Sequence, residues 1–72
     1  MIYEKIAREE RALKFFEAKA KRAKRHQKIA FMRKDSIAAL ENKEKIDAYN
    51  LAIELISNEL FNDQIYRSNL ED

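Results

Sequence analysis

The chain has 72 residues, of which 46% are hydrophobic and 39% charged, and it contains no Gly, Pro or Cys. Tight turns, β-hairpins and phosphate-binding loops depend on Gly or Pro, so the composition argues against a β fold and a P-loop. The lack of Cys excludes disulfides and thiolate metal sites. We therefore predict a single all-α domain over residues 1–72. Because so short a chain buries only about 60% of its unfolded surface, we expect it to need a partner or a second copy.

The first helix is predicted over about residues 2–33, where apolar side chains recur in alternating steps of four and three. The pattern skips the polar residues Glu9 and Gln27, and this spacing is typical of a coiled-coil seam. Large residues come first and alanines last, so we expect another helix to approach closely near the end of this one. The apolar members are Ile2, Ile6, Leu13, Phe16, Ala20, Ala23 and Ala30.

The stretch RKDS, residues 33–36, predicts a boundary between two helices. Arg33 and Lys34 suit the negative end of a helix, and Asp35 or Ser36 can cap the next helix. No Gly stands at the left-handed position that commonly ends a helix. One uninterrupted helix through this stretch is therefore the alternative.

The second helix, over about residues 36–61, has two apolar stripes. The first has seam spacing and consists of Ile46, Tyr49, Ile53, Ile56 and Leu60. Ala48, Leu51 and Leu55 form the second stripe, and one neighbouring helix cannot cover both. The letters FNDQ then interrupt the pattern, which predicts a short third helix or tail over about residues 63–70.

These elements predict an antiparallel, coiled-coil-like helical hairpin with a short C-terminal helix. If that helix does not cover the second stripe, two chains are expected to pair into a helical bundle. The homodimer would then associate through Leu51 and Leu55.

Charge is distributed unevenly along the chain. Residues 11–34 contain ten Lys or Arg and one acidic residue, whereas residues 35–72 contain nine acidic residues and three basic ones. Such asymmetry predicts an interaction surface or two halves that attract each other. The basic residues predicted to bind a partner are Lys14, Lys21, Arg22, Arg25 and Lys28. The alternative is a solvated helix face with no partner.

Phe15 and Ile29 lie off the seam of the first helix, among these cations. Apolar groups outside the expected interface indicate a second contact. They are interpreted either as part of a bundle core or as part of a partner-binding surface.

The residue types needed for catalysis do not occur in a useful combination. His26 is the only histidine, so metal sites built on two histidines cannot form. No second histidine is present to activate a serine. We predict a protein that is not an enzyme and that holds no cofactor or metal.

The pattern as a whole predicts a small regulatory, adaptor or inhibitory protein that presents helix surfaces to an acidic protein partner. The alternative is a nucleic-acid-binding accessory protein that uses the same cations on phosphates. Chains of this type are common among accessory proteins of phages and mobile elements, but that likeness assigns no role to any residue. No apolar run approaches the roughly 18 residues that span a bilayer, so we expect no membrane partner and a cytoplasmic location.

Overall fold

Two antiparallel helices joined by a short turn form the fold. The computed structural model describes residues 1–71, with α1 over Ile2–Met32 and α2 over Ser36–Glu71 and no strand in that range. The helices pack side by side into a rod whose dimensions are 56 × 14 × 14 Å. The predicted all-α helical hairpin is thereby confirmed.

A single seam of side chains joins α1 to α2. On α1 it runs through the predicted apolar positions and also through the polar residues Glu9 and Gln27, which are half-buried. On α2 the steps of three and four begin at Ala39 and continue to Arg67. The half-buried and buried seam positions of α2 are Ala39, Asn42, Ile46, Tyr49, Ile53, Ile56, Leu60, Asp63 and Arg67.

Small side chains fill the part of the seam near the turn. Ala20, Ala23, Ala30 and Ala39 are each 4–5% exposed, so the opposite helix lies directly against them. Towards the other end of the rod, Phe16 meets Tyr49 with ring centroids 6.1 Å apart. Ile6, at 2%, is the most deeply buried large side chain in residues 1–71. The core is therefore narrow, and most apolar side chains outside the seam stay exposed.

The turn ends α1 in the manner of a Schellman motif, although no glycine is present. Lys34 has a φ of 57°, in the left-handed region that usually favours glycine. Its N–H donates to the carbonyl of Phe31 at 3.1 Å, and the N–H of Asp35 donates to that of Ala30 at 2.8 Å. A carboxylate oxygen of Asp35 then accepts a hydrogen bond from the N–H of Ala38 at 3.1 Å, which caps α2. The predicted boundary at residues 33–36 is confirmed.

The predicted third helix is wrong. α2 continues without a break through residues 61–63 to Glu71. The apolar pattern does stop after Leu60, but the seam spacing continues with the polar residues Asp63 and Arg67. No Gly or Pro interrupts the backbone in this segment, so it remains helical. The polar residues at seam positions change only the contacts that the helix makes with α1.

Replacing Lys34 with Gly is expected to stabilise the hairpin by about 1 kcal/mol. A non-glycine residue in the left-handed region costs about that much, and within residues 1–71 the Lys34 side chain makes no ion pair that would be lost. The unfolding midpoint in urea should rise, and the thermal midpoint should increase by roughly 4–8 °C.

Arg33→Gly is the matched control because Arg33 has a φ of −89° and lies in the right-handed region. Glycine gains nothing there and makes the unfolded chain more flexible. An equal or larger stabilisation by Arg33→Gly would contradict the assignment of strain to Lys34.

Candidate functional site

The rod has two broad faces, which differ in composition. The face here called the charged face carries Lys14, Lys21 and Lys28 from α1 with Asp47 and Glu54 from α2. The opposite face, here called the groove face, carries shallow depressions along its length. The groove face is lined by Arg8, Ala12, Phe15, Lys19, Arg22, His26 and Ile29 from α1 and by Ala38, Lys45, Ala48, Ala52, Leu55, Glu59 and Tyr66 from α2.

The structure does not bring all five predicted partner-binding cations to one face. Lys14, Lys21 and Lys28 are spaced by seven residues, so they form one row along the charged face. Arg25 lies on the outer edge of α1, on the side that points away from α2. Arg22 belongs to the groove face, where it borders a depression with Lys19 and His26. All five side chains are exposed.

Ion pairing inside the hairpin leaves these cations free. Within residues 1–71, the ion pairs that cross between the helices are made by Lys5, which contacts Glu59 and Asp63. Lys43 pairs with Asp47 along α2 itself. The basic residues from Arg11 to Lys34 have no carboxylate within ion-pair distance in this range. The structure therefore shows no ion pair between the basic residues of the segment 11–34 and the acidic residues of the segment 35–71.

The two predicted self-association residues are both uncovered. Leu51 is 56% exposed and Leu55 is 60% exposed, because α2 continues as one helix and no segment of residues 1–71 folds back over them. They lie one helical turn apart and about 40° apart around the axis of α2. Leu55 borders a depression of about 850 Å³ on the groove face, while Leu51 lies nearer the outer edge of α2.

Phe15 and Ile29 are also exposed, at 55% and 45%, so neither belongs to the core of the hairpin. The ring of Phe15 meets Phe16 edge-on with centroids 5.3 Å apart, and the ammonium of Lys19 lies 5.3 Å from its centre. These contacts hold the Phe15 ring in place on the groove face, available to a partner.

A cluster of charged side chains at the open end of the hairpin was not predicted. The ammonium of Lys5 lies 2.8 Å from Asp63, 2.5 Å from Glu59 and 4.0 Å from Glu9. The three carboxylates have oxygens within 4.8 Å of one another, and the Lys5 ammonium supplies the positive charge among them. The signal in the sequence was that Glu9 and Asp63 both occupy seam positions.

Titration of this cluster is shifted by its surroundings. Burial, followed by a hydrogen bond with Asp63, raises the pKa of the Glu9 carboxyl above its ordinary value of 4.5. Hydrogen bonding to Lys5 holds the pKa of Asp63 below its ordinary value. The hydrogen bonds to Asp63 and Glu59 in turn raise the pKa of Lys5. Lys5 is therefore the charge that holds the open end together, and Glu9 is the carboxyl least favoured when ionised.

Glu9→Gln is expected to raise the stability at pH 7 and to lose that advantage in acid. A carboxyl whose pKa is raised on folding stabilises the folded state when it is protonated. This contribution is present below the ordinary pKa of 4.5 and is lost as the pH rises through the raised pKa of the folded state. Glutamine stays neutral at every pH, so the advantage should appear only above that pH window.

Thermal unfolding midpoints of both proteins between pH 4 and 8 measure this difference. The control is Glu10→Gln, which removes the same charge from an exposed neighbouring position outside the seam. Two outcomes would show that the ionised form of Glu9 is not disfavoured. One is a difference in unfolding midpoint between Glu9→Gln and the wild type that does not vary with pH. The other is a lower unfolding midpoint of Glu9→Gln at pH 7.

Comparisons of the chain with protein-family models, characterised proteins and solved structures found no match. Neither helix, over residues 1–71, has a stretch long and apolar enough to cross a membrane. The candidate functional surfaces of the hairpin are the charged face, the outer edge of α1 and the groove face.

Proposed function

We propose that this chain is a non-enzymatic regulatory, adaptor or inhibitory protein that binds an acidic surface of another protein. The contact is made by the lysine row of the charged face together with Arg25 at the outer edge of α1. The observation that supports it most directly is that these four cations are exposed and have no carboxylate partner within residues 1–71. Cations left unpaired on a rigid helix are available to an external anion at little ordering cost.

The spacing of the row fits a helical partner. Lys14, Lys21 and Lys28 lie seven residues apart on α1, which corresponds to about 10.5 Å of helix per step. A partner helix with acidic residues at the same spacing would meet all three lysines in turn. The ion pairs between these lysines and the acidic residues of the partner would lie at the rim of the interface. They would therefore contribute mainly to the rate of association and to the choice of partner.

Acidic residues on the same face favour a protein over a nucleic acid. Asp47 and Glu54 of α2 lie on the charged face beside the lysine row, and both are exposed. A phosphate backbone laid across this face would meet them with like charge. A protein can present basic groups to these two residues and acidic groups to the lysines. Nucleic-acid binding by the same cations of α1 is the competing function.

Reversing the charge of the lysine row should abolish partner binding. In pull-downs from nuclease-treated extracts of the source cell, the triple variant Lys14→Glu, Lys21→Glu and Lys28→Glu is expected to recover the bound protein at least ten-fold less well than the wild type. A ten-fold loss corresponds to about 1.4 kcal/mol. Circular dichroism of the variant checks that the hairpin still forms.

The control is the triple variant Arg8→Glu, Lys19→Glu and Lys45→Glu, which changes the net charge equally but on the groove face, away from the row. Equal loss with both triple variants would mean that net charge alone matters. Fluorescence anisotropy with random-sequence duplex DNA at two salt concentrations tests the competing function. Salt-sensitive DNA binding that the first triple variant abolishes would replace the protein partner with a nucleic acid.

A further inference from the structure

The middle of the groove face is an apolar patch. Ala12 and Phe15 from α1 lie there with Ala48, Ala52 and Leu55 from α2, and an open groove of about 850 Å³ begins at Ala12 and Leu55. On the charged face the equivalent region carries Glu17, Lys21 and Lys24 beside Asn50. The two broad faces therefore differ where an interface would have its centre, and only the groove face has the apolar centre that stable interfaces use.

Large and small side chains of this patch lie at matching heights along the rod. Phe16 is level with Tyr49 and Lys5 with Asp63, as their contacts across the seam show. By the same register, Ala12 is level with Leu55, and Phe15 with Ala52. A second hairpin laid on this face with α1 over α2 would place each large side chain opposite a small one.

Charge decides which helix of a second copy fits over α1. Within residues 1–33, the charged side chains of the groove face are basic except the half-buried Glu9, which lines its open end. The basic ones are Lys5, Arg8, Lys19, Arg22, His26 and Arg33. The same face of α2 carries Glu41 and Glu59. Stacking α1 on α1 would bring like charges together, whereas stacking α1 on α2 brings Arg8 level with Glu59 and His26 level with Glu41. Lys45 is the one cation of α2 that would lie near Arg22.

We propose that the groove face binds a second copy of this chain, forming a four-helix bundle about a two-fold axis parallel to the rod. In this dimer α1 of each copy lies over α2 of the other. A face 56 Å long and 14 Å wide can supply the roughly 800 Å² per partner that a standard interface buries. Leu55 lies at the centre of the interface and Leu51 at its margin, so the two leucines are not equivalent.

The charged face stays free in this dimer. Lys14, Lys21, Arg25 and Lys28 do not belong to the groove face, so the dimer does not compete with an acidic partner. Self-association and binding of the acidic partner are therefore independent proposals, and each is tested by its own experiment.

Analytical ultracentrifugation of the full chain at up to about 100 µM tests the dimer. Phe15→Glu is expected to raise the dimer dissociation constant at least ten-fold, because it places a charge in the apolar centre. Leu40→Glu is the matched control, since Leu40 is 57% exposed but lies in one row with Asp47 and Glu54 on the charged face. A monomeric wild type overturns the proposal, and so does a dimer that Leu40→Glu disrupts and Phe15→Glu does not.

Cysteine cross-linking tests the arrangement of the helices, helped by the absence of native cysteine. Lys19→Cys and Ala48→Cys are level on α1 and α2, so mixing the two variants should give a disulfide-linked heterodimer under mild oxidation. Neither variant alone should cross-link efficiently, because identical positions lie diagonally apart. Efficient cross-linking of Lys19→Cys with itself would show α1 over α1 and overturn the proposed axis.

The pair Lys21→Cys and Asn50→Cys provides the control on the opposite face. No heterodimer should form from this pair. Cross-linking there as efficient as on the groove face would mean that collisions, and not a defined interface, produce the disulfides, and the proposal would fail.

Discussion

One seam between two helices holds this molecule together, and most of its other properties follow from that constraint. Each helix can turn only a narrow strip of its surface towards the other, so the remaining rows stay exposed whatever residues they carry. Near the turn the strip is filled by alanines such as Ala20, Ala23 and Ala39, which are only 4–5% exposed but contribute little apolar area. The larger residues lie towards the open end. The hairpin thus has a thin core and a large free surface.

The open end depends on a different interaction. Where the apolar pattern of α2 ends, Asp63 continues the seam and meets Lys5, which also contacts Glu59 and approaches Glu9. Three carboxylates around one ammonium hold the helix ends in register, but they leave excess negative charge in a half-buried place. Burial, followed by the neighbouring carboxylates, raises the pKa of Glu9, whereas the hydrogen bond to Lys5 lowers the pKa of Asp63. Polar seam residues here extend the hairpin without enlarging its core.

The free surface is organised into regions that suit different contacts. Cations with no internal partner form the lysine row of the charged face, next to the acidic residues of α2. The groove face combines an apolar centre with flanking charges whose signs differ between α1 and α2. The charged face is therefore suited to binding an oppositely charged protein. The groove face is suited to close packing against a surface of complementary shape. Contacts on both faces would stabilise a chain with so small a core, because each contact buries surface that the isolated hairpin leaves exposed.

The sequence by itself determined the helical class, the seam of α1 and the boundary at residues 33–36, because periodicity and capping act over a few neighbouring residues. It did not determine the end of α2: the loss of apolar residues after Leu60 indicated a break, and only the structure shows Asp63 placed against Lys5. Helical periodicity already separates Arg22 from Lys21, since consecutive residues lie about 100° apart around a helix, but the prediction included both in the binding set and treated Leu51 and Leu55 as one stripe. Which broad face a residue joins depends on how the two helices are rotated about their common seam, and that rotation is a property of tertiary packing.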